Sequence, residues 1–235
     1  MIEIDKIYNM DCTEGIDCLP TGYKYCIVTD PPFNVGYHYN EYKDKMDEDE
    51  YYEWLGNIVN GYPCVIIHYP ESLYKFAFQI GKFPTRVLSW VYNSNTPRQH
   101  RDIAYFDIVP DMNRVRQPYK NPTDKRIAAR IAAGCGGGKM YDWMEVNQVK
   151  NVSKKAQGIS HPCQMPEEVM RRVVGVLPDD YVILDPFLGS GTTCVAALRE
   201  HRHFVGFELN KEYFDIAQRR IALERSQPTL DFGDG

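Results

Sequence analysis

The fold of this chain is decided by one stretch, Tyr181-Val182-Ile183-Leu184-Asp185-Pro186-Phe187-Leu188-Gly189-Ser190-Gly191-Thr192-Thr193. Its first part predicts a strand over 181–185, because the run is short, apolar and closed by a turn. Apolar spacing beyond the turn predicts a helix over 192–200, a strand over 203–208 and a helix over 211–224. This βαβα pattern is typical of a parallel sheet with right-handed crossovers.

The glycine-containing turn has the composition of a nucleotide-binding turn. Gly189 and Gly191 allow a sharp bend and the close approach of a ligand, and a helix N-terminus offers free N–H groups. Taken alone, such a turn is more often a plain connection, but Glu208 ends the next strand, where a carboxylate conventionally binds a ribose diol. Thr193 follows Gly191-Thr192 in place of the full dinucleotide fingerprint, which favours an adenosine ligand without a pyrophosphate.

The rest of the chain completes an α/β class. Strands are predicted over 25–29, 64–68, 87–92 and 104–109, and helices over 50–60 and 166–176. Prolines and glycines interrupt 110–160, where one helix is predicted over 124–133, so this stretch is interpreted as an insertion rather than sheet. The tail, 227–235, is expected to be frayed.

Composition fits one globular domain and narrows the class of protein. The 235 residues are 43% hydrophobic and 25% charged, which suits a single buried core. No apolar run reaches the roughly 18 residues of a membrane span, and Met1–Lys6 has no signal-peptide pattern, so a cytoplasmic protein is expected. The seven cysteines lack a Cys-x-x-Cys pair and the histidines are dispersed, so neither disulfides nor a metal site is expected.

Charge is distributed unevenly along the chain. The net charge is -5, yet 98–139 holds nine Lys and Arg against four Asp. Such a basic cluster favours contact with nucleic-acid phosphates, although a solvated basic surface is the default reading of one cluster alone. The predicted DNA-binding residues are Arg98, Arg101, Arg114, Arg116, Lys120, Lys125, Arg126, Arg130 and Lys139.

A second motif, Asp30-Pro31-Pro32-Phe33, follows the predicted strand over 25–29. Two prolines make a stiff corner that offers carbonyl acceptors and no N–H donors. Hydrogen bonds from an exocyclic amino group to the Asp30 carboxylate and the Pro31 carbonyl would make a delocalised nitrogen more reactive. Phe33 offers a face for stacking an extruded base, worth about 1–3 kcal/mol in single-strand binders. A plain proline turn with a buried Phe is the competing interpretation of this motif by itself.

A third motif, His161-Pro162-Cys163-Gln164-Met165-Pro166, opens the helix predicted over 166–176. Together the three motifs resemble the DNA amino-methyltransferases of the permuted beta group, in which the catalytic motif precedes the cofactor motif. The resemblance implies a Rossmann-like, S-adenosylmethionine-dependent methyltransferase fold with a mostly parallel sheet and circularly permuted motif order. The sequence departs from the family pattern at three positions. Phe33 replaces the more usual Tyr, and Cys163 and Met165 replace the common Thr and Lys.

The resemblance implies site residues position by position. The catalytic residues would be Asp30, Pro31, Pro32 and Phe33. The cofactor would be bound by Asp11, Cys12, Asp30, His161, Gln164, Asp185, Pro186, Phe187, Gly189, Ser190, Gly191, Thr192, Thr193, Glu208 and Asn210. The expected reaction is methyl transfer to N6 of adenine, because Asp at position 30 is the family tendency for adenine and Ser for cytosine, with cytosine N4 as the alternative.

The resemblance also implies an organisation and partners. Residues 1–97 and 161–226 would form the catalytic and cofactor-binding domain, with 98–160 an inserted target-recognition segment. The run over 34–40 is similar to a mobile loop that closes on DNA. Double-stranded DNA is the expected partner, and the family admits a homodimer and a cognate restriction endonuclease, in the cytoplasm of a prokaryote or of a phage-infected cell.

Two readings of other classes remain to be weighed. The run Gly134-Cys135-Gly136-Gly137-Gly138-Lys139 suggests an NTP-hydrolysing P-loop, but it follows a predicted helix instead of a strand. Ala133 also stands at the first glycine position, and Met140 stands where Ser or Thr must bind magnesium. A catalytically inactive DNA-binding module is the second alternative, and the intact corner at Asp30 argues against it.

Overall fold

The computed structural model describes residues 1–34, 36, 45–149 and 164–227. Ten strands lie in this part of the chain: β1 (Lys6–Tyr8), β2 (Lys24–Thr29), β3 (Cys64–His68), β4 (Arg86–Val91), β5 (His100–Phe106), β6 (Arg116–Gln117), β7 (Gly138–Lys139), β8 (Trp143–Glu145), β9 (Tyr181–Asp185) and β10 (Phe204–Phe207). The helices are α1 (Cys12–Asp17), α2 (Glu48–Val59), α3 (Pro70–Gln79), α4 (Lys125–Ala132), α5 (Glu167–Gly175), α6 (Thr192–Arg199) and α7 (Lys211–Ser226).

Eight of these strands form one central sheet in the order β1-β10-β9-β2-β3-β5-β4-β8. Only β5 runs against the others, pairing antiparallel with β3 and with β4. The central strands are apolar along their whole length because helices cover both faces of a parallel sheet. In β2, the five residues from Tyr25 to Thr29 are all buried. The expected α/β class with a mostly parallel sheet is confirmed.

Two hydrophobic layers lie on opposite faces of the sheet. Alternate residues of β2 divide between them, with Cys26 and Val28 in one layer and Tyr25 and Ile27 in the other. Buried positions of α5 and α6 join the first layer, and those of α2 and α3 join the second. The molecule is therefore a three-layer sandwich, with the sheet between two layers of helices. The ends of the strands lie along the two sides of the sheet that the helices do not cover.

The strands that carry the two glycine- and proline-containing corners are direct neighbours. β2 pairs in parallel with β9, with Ile27 opposite Leu184, although about 150 residues separate them along the chain. The Thr29 hydroxyl donates a 2.8 Å hydrogen bond to Asp185 Oδ1, which ties the two strand ends together. Parallel strands end at the same edge, so Asp30 and Pro186 leave the sheet side by side.

Two predictions of local structure are corrected by the sheet. The strand predicted over 104–109 begins at His100 and ends at Phe106, because its polar start pairs with β3 and β4. It turns away after Phe106, where Asp107 has a φ of 56°. Helix α3 was not predicted at all, although it begins with Pro70 in its first turn.

Two strands of the segment 98–160, the predicted insertion, pair with the central sheet, and the bounds of the insertion stay a prediction. Its first strand, β5, and its edge strand, β8, both belong to the central sheet. The described stretch 107–142 lies outside the central sheet and contains the ribbon of β6 and β7 and helix α4, and no residue of α4 is buried. Among the described residues, no helix combines the length and apolarity needed to cross a membrane.

Candidate active site

One cavity of about 280 Å³ joins the two predicted corners at the carboxyl ends of the strands. Asp30 and Phe33 line it from the end of β2, and Phe187 and Gly189 line it from the end of β9. Glu208 closes it from the end of β10. A cavity at this edge is where ligands bind in open α/β sheets. The two motifs therefore share one site.

Asp30 is a nearly buried carboxylate with a cationic neighbour. Arg101 Nη1 lies 3.3 Å from Asp30 Oδ2 and 3.4 Å from Oδ1, and the side chains are only 11% and 19% exposed. Burial raises the pKa of Asp30 to about 6, while Arg101 lowers it and the Asp185 carboxylate raises it. Asp30 is thus ionised at neutral pH, with its oxygens directed at hydrogen-bond donors.

The proline corner is positioned by residues that the sequence did not indicate. The Tyr51 hydroxyl donates a 2.6 Å hydrogen bond to the Pro32 carbonyl and lies 3.2 Å from His68 Nε2. His68 Nδ1 accepts from the Tyr69 backbone N–H at 2.8 Å, so the proton of this ring is on Nε2. Burial lowers the pKa of His68 to about 3, so the ring remains neutral and the relay from His68 through Tyr51 to Pro32 is fixed.

Asp185 connects the ends of the two neighbouring strands. Its Oδ1 accepts from the Thr29 hydroxyl at 2.8 Å and from the Phe187 backbone N–H at 3.1 Å. Burial raises the pKa of Asp185 to about 6, opposed by hydrogen bonds from Thr193, Thr29 and Phe187. The side chain is 2% exposed and shapes the turn over the cavity.

Glu208 links the glycine turn to the start of α7. Its Oε2 accepts from the Gly189 backbone N–H at 2.7 Å, and its Oε1 accepts from the Asn210 backbone N–H at 2.8 Å. Each carboxylate oxygen has a second lone pair, so Glu208 can also accept from hydroxyl groups of a ligand. Asn210 then caps α7 through a 3.1 Å bond from the Tyr213 N–H.

The two glycines of the turn have different roles. Gly189, with a φ of 54°, lines the cavity, whereas Gly191 does not. Gly191 has a φ of 82°, and a Cβ built on it would lie 2.8 Å from Ala217 Cβ on α7. This glycine therefore permits the close packing of α6 and α7, and contact between Gly191 and a ligand stays a prediction.

Gly191→Ala is expected to destabilise the protein by about 3 kcal/mol, from the left-handed backbone and the overpacking at Ala217. Urea unfolding followed by circular dichroism measures this change. Gly22→Ala is the matched control, because Gly22 also has a positive φ but has nothing within 4 Å of a built Cβ. The control should lose about 1 kcal/mol. Equal losses in the two variants would contradict the packing role.

Arg220, on α7, supports the glycine turn from outside the cavity. Its Nη1 donates to the Ser190 carbonyl at 2.6 Å, to the Ser190 hydroxyl at 3.1 Å and to the Thr192 hydroxyl at 3.0 Å. Burial lowers the pKa of this guanidinium below its ordinary value. Nothing in the sequence indicated Arg220, because it lies 29 residues after the turn it supports.

The N-terminal site residues lie across the cavity from the turn. Asp11 caps α1, with its Oδ1 accepting from the Thr13 N–H at 2.8 Å and the Thr13 hydroxyl at 2.5 Å. Cys12 is buried, and burial raises the pKa of its thiol to about 12, so the thiol stays neutral. Both residues line the cavity.

The structure brings together most of the predicted site residues. Lining the cavity are Asp11, Cys12, Asp30, Pro31, Pro32, Phe33, Asp185, Pro186, Phe187, Gly189, Ser190, Thr192, Thr193, Glu208 and Asn210. Gln164 does not line it, and its Oε1 is buried without a hydrogen-bond partner among the described residues. His161 and most of the 34–40 loop lie outside the described residues. Residues that line the cavity without having been predicted include Met10, Trp54, Met165, Met170 and Tyr213.

The predicted DNA-binding cations divide between the two edges of the sheet. Arg101 lies inside the cavity beside Asp30, not on an exposed basic surface, and DNA contact by Arg101 stays a prediction. Arg98 lies at the same edge, paired with Glu71 at 2.6 Å and stacked 4.0 Å from the Tyr69 ring centre. Arg114 is bound to Asp179 and the Gly175 carbonyl, just before β9 begins, so it lies at the opposite edge.

The remaining cations lie on the segment outside the sheet. Arg116, Lys125, Arg126, Arg130 and Lys139 are exposed on or beside the ribbon and α4. Lys120 stacks on Trp143, with Nζ 3.9 Å from the ring centre. The segment that carries the ribbon leaves the sheet at the end of β5 and returns at the start of β8. These two points lie at the side of the sheet opposite the strand ends that carry Asp30. DNA contact by these residues stays a prediction.

Comparison with known proteins identifies a related group. The N6/N4 DNA methylase family matches residues 25–219. Type II methyltransferase M.BglII of Bacillus subtilis is 27% identical over 256 aligned positions, covering 94% of this chain and 70% of that protein. The DNA adenine methyltransferase YhdJ of Escherichia coli K12 is 24% identical over 255 positions, covering 93% of this chain and 83% of that protein.

Solved structures share the fold. The cytosine-N4-specific PvuII DNA methyltransferase aligns with a TM-score of 0.65 and 19% identity, over 92% of this chain and 85% of that one. The crystal structure of the M1.HpyAVI–SAM complex aligns with a TM-score of 0.59 and 20% identity, over 92% of this chain and 98% of that one. At these identities the likeness concerns the fold.

Proposed function

Because the chain belongs to the N6/N4 family of DNA methylases, we propose that it methylates the N6 amino group of adenine at a specific DNA site. The protein is an S-adenosylmethionine-dependent DNA methyltransferase, and the choice of adenine is the finer part of the proposal. The observation that carries it is the placement of Asp30 and Gly189 in one cavity, on the ends of adjacent strands.

The cavity fits S-adenosylmethionine by its hydrogen-bond acceptors and its apolar lining. Glu208 and Asp11 place carboxylates where a ribose diol and an adenine amino group could donate hydrogen bonds. Trp54 and Phe187 both line the cavity, with ring centres 5.2 Å apart and planes inclined by 40°, and either ring offers an apolar face for a purine. When bound, the cofactor supplies an electrophilic methyl group on a positively charged sulfur.

The protein's own residues prepare the nucleophile. Asp30 accepts one amino proton of the base, and Pro31, which lines the cavity, provides the carbonyl for the other. The Pro32 carbonyl is already used by Tyr51, so we assign the second acceptor to Pro31. Phe33 stacks on the extruded base and holds its amino nitrogen toward the methyl donor. The amino proton is lost after methylation, so Asp30 need not be a strong base.

The value of kcat/KM for methyl transfer is expected to fall as the pH is lowered below neutrality. Asp30 and Asp185 both have a pKa raised to about 6, so below this pH Asp30 loses the charge that accepts the amino proton. Because the two carboxyls interact, the acidic limb of the profile reports the titration of the pair and not of Asp30 alone. A profile of log(kcat/KM) from pH 5 to 8 should bend near pH 6 and approach a slope of 1.

Protonation of these carboxyls does not unfold the protein, so unfolding through them does not explain the fall in kcat/KM at acidic pH. A carboxyl whose pKa is raised on folding stabilises the folded state below its unfolded value of 3.8, and that contribution is lost as the pH rises through 6. Protonation of Asp30 therefore favours the folded protein while it lowers the rate. Circular dichroism at each pH is the control, and a flat rate profile down to pH 5 would contradict the proposed role.

The assignment of adenine rather than cytosine as the target base depends on one residue. Asp30 occupies the first position of the catalytic corner, where the family tendency is Asp for adenine and Ser for cytosine. The name of the YhdJ relative agrees with adenine, whereas the name of PvuII specifies cytosine N4. Methylation of cytosine N4 is accordingly the alternative, since the matched family covers both bases.

A single experiment tests the proposal as a whole. Incubation of the protein with methyl-labelled S-adenosylmethionine and varied duplex DNA, followed by digestion to nucleosides, identifies the methylated base and its sequence context. We expect labelled N6-methyladenine and an Asp30→Asn control without label. Recovery of labelled N4-methylcytosine would change the assigned target from adenine to cytosine. Absence of label from every DNA tested would refute the reaction.

We further propose how the protein meets its partners. Arg98 lies at the edge of the cavity and would contact a phosphate near the extruded base. The exposed cations of α4 and its ribbon would contact flanking duplex, which their lack of burial and their charge support. A cognate restriction endonuclease is supported by the type II names of relatives such as M.BglII. A homodimer remains a prediction, and a bacterial cytoplasm, where DNA lies, is the proposed location.

A further inference from the structure

The guanidinium of Arg101 stacks on the ring of Phe33, and both residues line the cavity. Its Cζ lies 4.4 Å from the centre of the Phe33 ring. His68 and Tyr69 also contact this ring, with centres 4.4 and 5.0 Å away, but of the three only Arg101 lines the cavity. A base that enters the cavity and stacks on Phe33 therefore meets Arg101 first.

The same guanidinium also takes the hydrogen-bonding position of the base. Its Nη1 points at both oxygens of Asp30, at 3.3 and 3.4 Å. A guanidinium is flat, carries N–H donors in its plane and stacks on aromatic faces, as the amino edge of a nucleobase does. Arg101 thus makes both contacts that the proposed function gives to the base, stacking on Phe33 and donation to Asp30.

We propose that Arg101 occupies the place of the target base in the DNA-free protein, and that the extruded base displaces it. This inference rests on the proposed function. The contacts at 3.3 and 3.4 Å are longer than the about 2.7–2.9 Å of an ordinary charged pair.

The exchange makes Arg101 a residue that determines specificity. Asp30 is nearly buried, and a buried carboxylate that loses its donor is costly. A base with an exocyclic amino group replaces the donor that leaves, whereas thymine offers no amino proton to Asp30. The protein should therefore admit an amino-bearing base and reject thymine at the same position.

Three duplexes measure this exchange, each built on the sequence that the methylation assay identifies. The first has the target base, the second an abasic site in its place and the third thymine. Dissociation constants are measured by fluorescence anisotropy with saturating S-adenosylhomocysteine, at pH 8.5 so that Asp30 is ionised in every variant. The abasic duplex keeps the backbone contacts, so the ratio of its Kd to that of the target duplex reports the base pocket alone.

Arg101→Ala is expected to increase this ratio about tenfold, because the base no longer displaces a charged hydrogen bond. Arg98→Ala is the matched control, since it removes a neighbouring cation that does not line the cavity. It should weaken the target and abasic duplexes alike and leave the ratio unchanged. The natural protein should bind the thymine duplex no more tightly than the abasic one.

An unchanged or lower ratio in Arg101→Ala, or tight binding of the thymine duplex by the natural protein, would overturn the inference. Melting temperature and cofactor affinity show whether the variant is folded, and Arg101→Met, which keeps an unbranched stem, replaces it if it is not. Methylation by the natural protein tests the proposed function separately. A protein that methylates DNA but fails the ratio test loses only the role of Arg101.

Discussion

Replacement of Asp30 by asparagine is expected to lower kcat by about 10³-fold, in the range seen when one preorganised charge-stabilising group is lost. The amide keeps the shape of the side chain but has one acceptor oxygen and no charge. It would hold the amino proton of the base weakly and lose its ion pair with Arg101. Single-turnover transfer of labelled methyl to DNA measures the change in the chemical step.

Binding of the cofactor should survive this substitution. Glu208 and the glycine turn line the cavity from the ends of β10 and β9, whereas Asp30 lines it from the end of β2. Calorimetric titration with S-adenosylhomocysteine should thus give a Kd within about twofold of the natural value, below the tenfold that 1.4 kcal/mol represents. Asp107→Asn, at the other edge of the sheet and paired with Lys82, is the control. Loss of cofactor binding by a folded Asp30→Asn protein would assign Asp30 to the cofactor instead.

Glu208→Ala is expected to weaken cofactor binding by about 100-fold, because hydrogen bonds to a charged group are each worth about 1.5–3 kcal/mol. The substitution removes the acceptor for a ribose diol. It also releases the Gly189 and Asn210 N–H groups that the carboxylate holds at 2.7 and 2.8 Å. Calorimetric titration with S-adenosylmethionine measures the loss.

Glu212→Ala provides the comparison for this second substitution. Glu212 is an exposed acid in the first turn of α7, four residues from Glu208, and it does not line the cavity. Its removal changes net charge equally and should leave the Kd within about twofold, as is usual for surface substitutions. Equal weakening in both variants would mean that charge near α7, and not the site contacts of Glu208, controls affinity.

The sequence predicted those parts of the site that follow from local geometry. A strand followed by prolines or glycines marks its own end, so the strands over 64–68 and 181–185 were predicted with their observed bounds. The neighbouring positions of β2 and β9 were not derivable from local pattern, because they depend on pairing across about 150 residues. The resemblance of motifs supplied that link.

Residues whose role depends on tertiary neighbours were missed or misread. Arg101 is one of nine cations in a basic stretch, and only the antiparallel pairing of β5 turns it into the cavity beside Asp30. Tyr51, Trp54 and Arg220 lie on helices at spacings that also suit plain core or surface positions. Gly191 matches a ligand-binding motif, and its packing against Ala217 on α7 could not be read from that motif.

The adjacency of β2 and β9 has a consequence for the synthesis of the protein. On the ribosome, the corner at Asp30 emerges early, but its strand has no partner on one side until residues 181–185 are made. The edge strand β1 likewise waits for β10. Contacts this distant in sequence slow folding and leave apolar strand edges open to aggregation in the meantime. A nascent chain that has not reached residue 181 lacks both partners, so the site can assemble only after β9 and β10 have been synthesised.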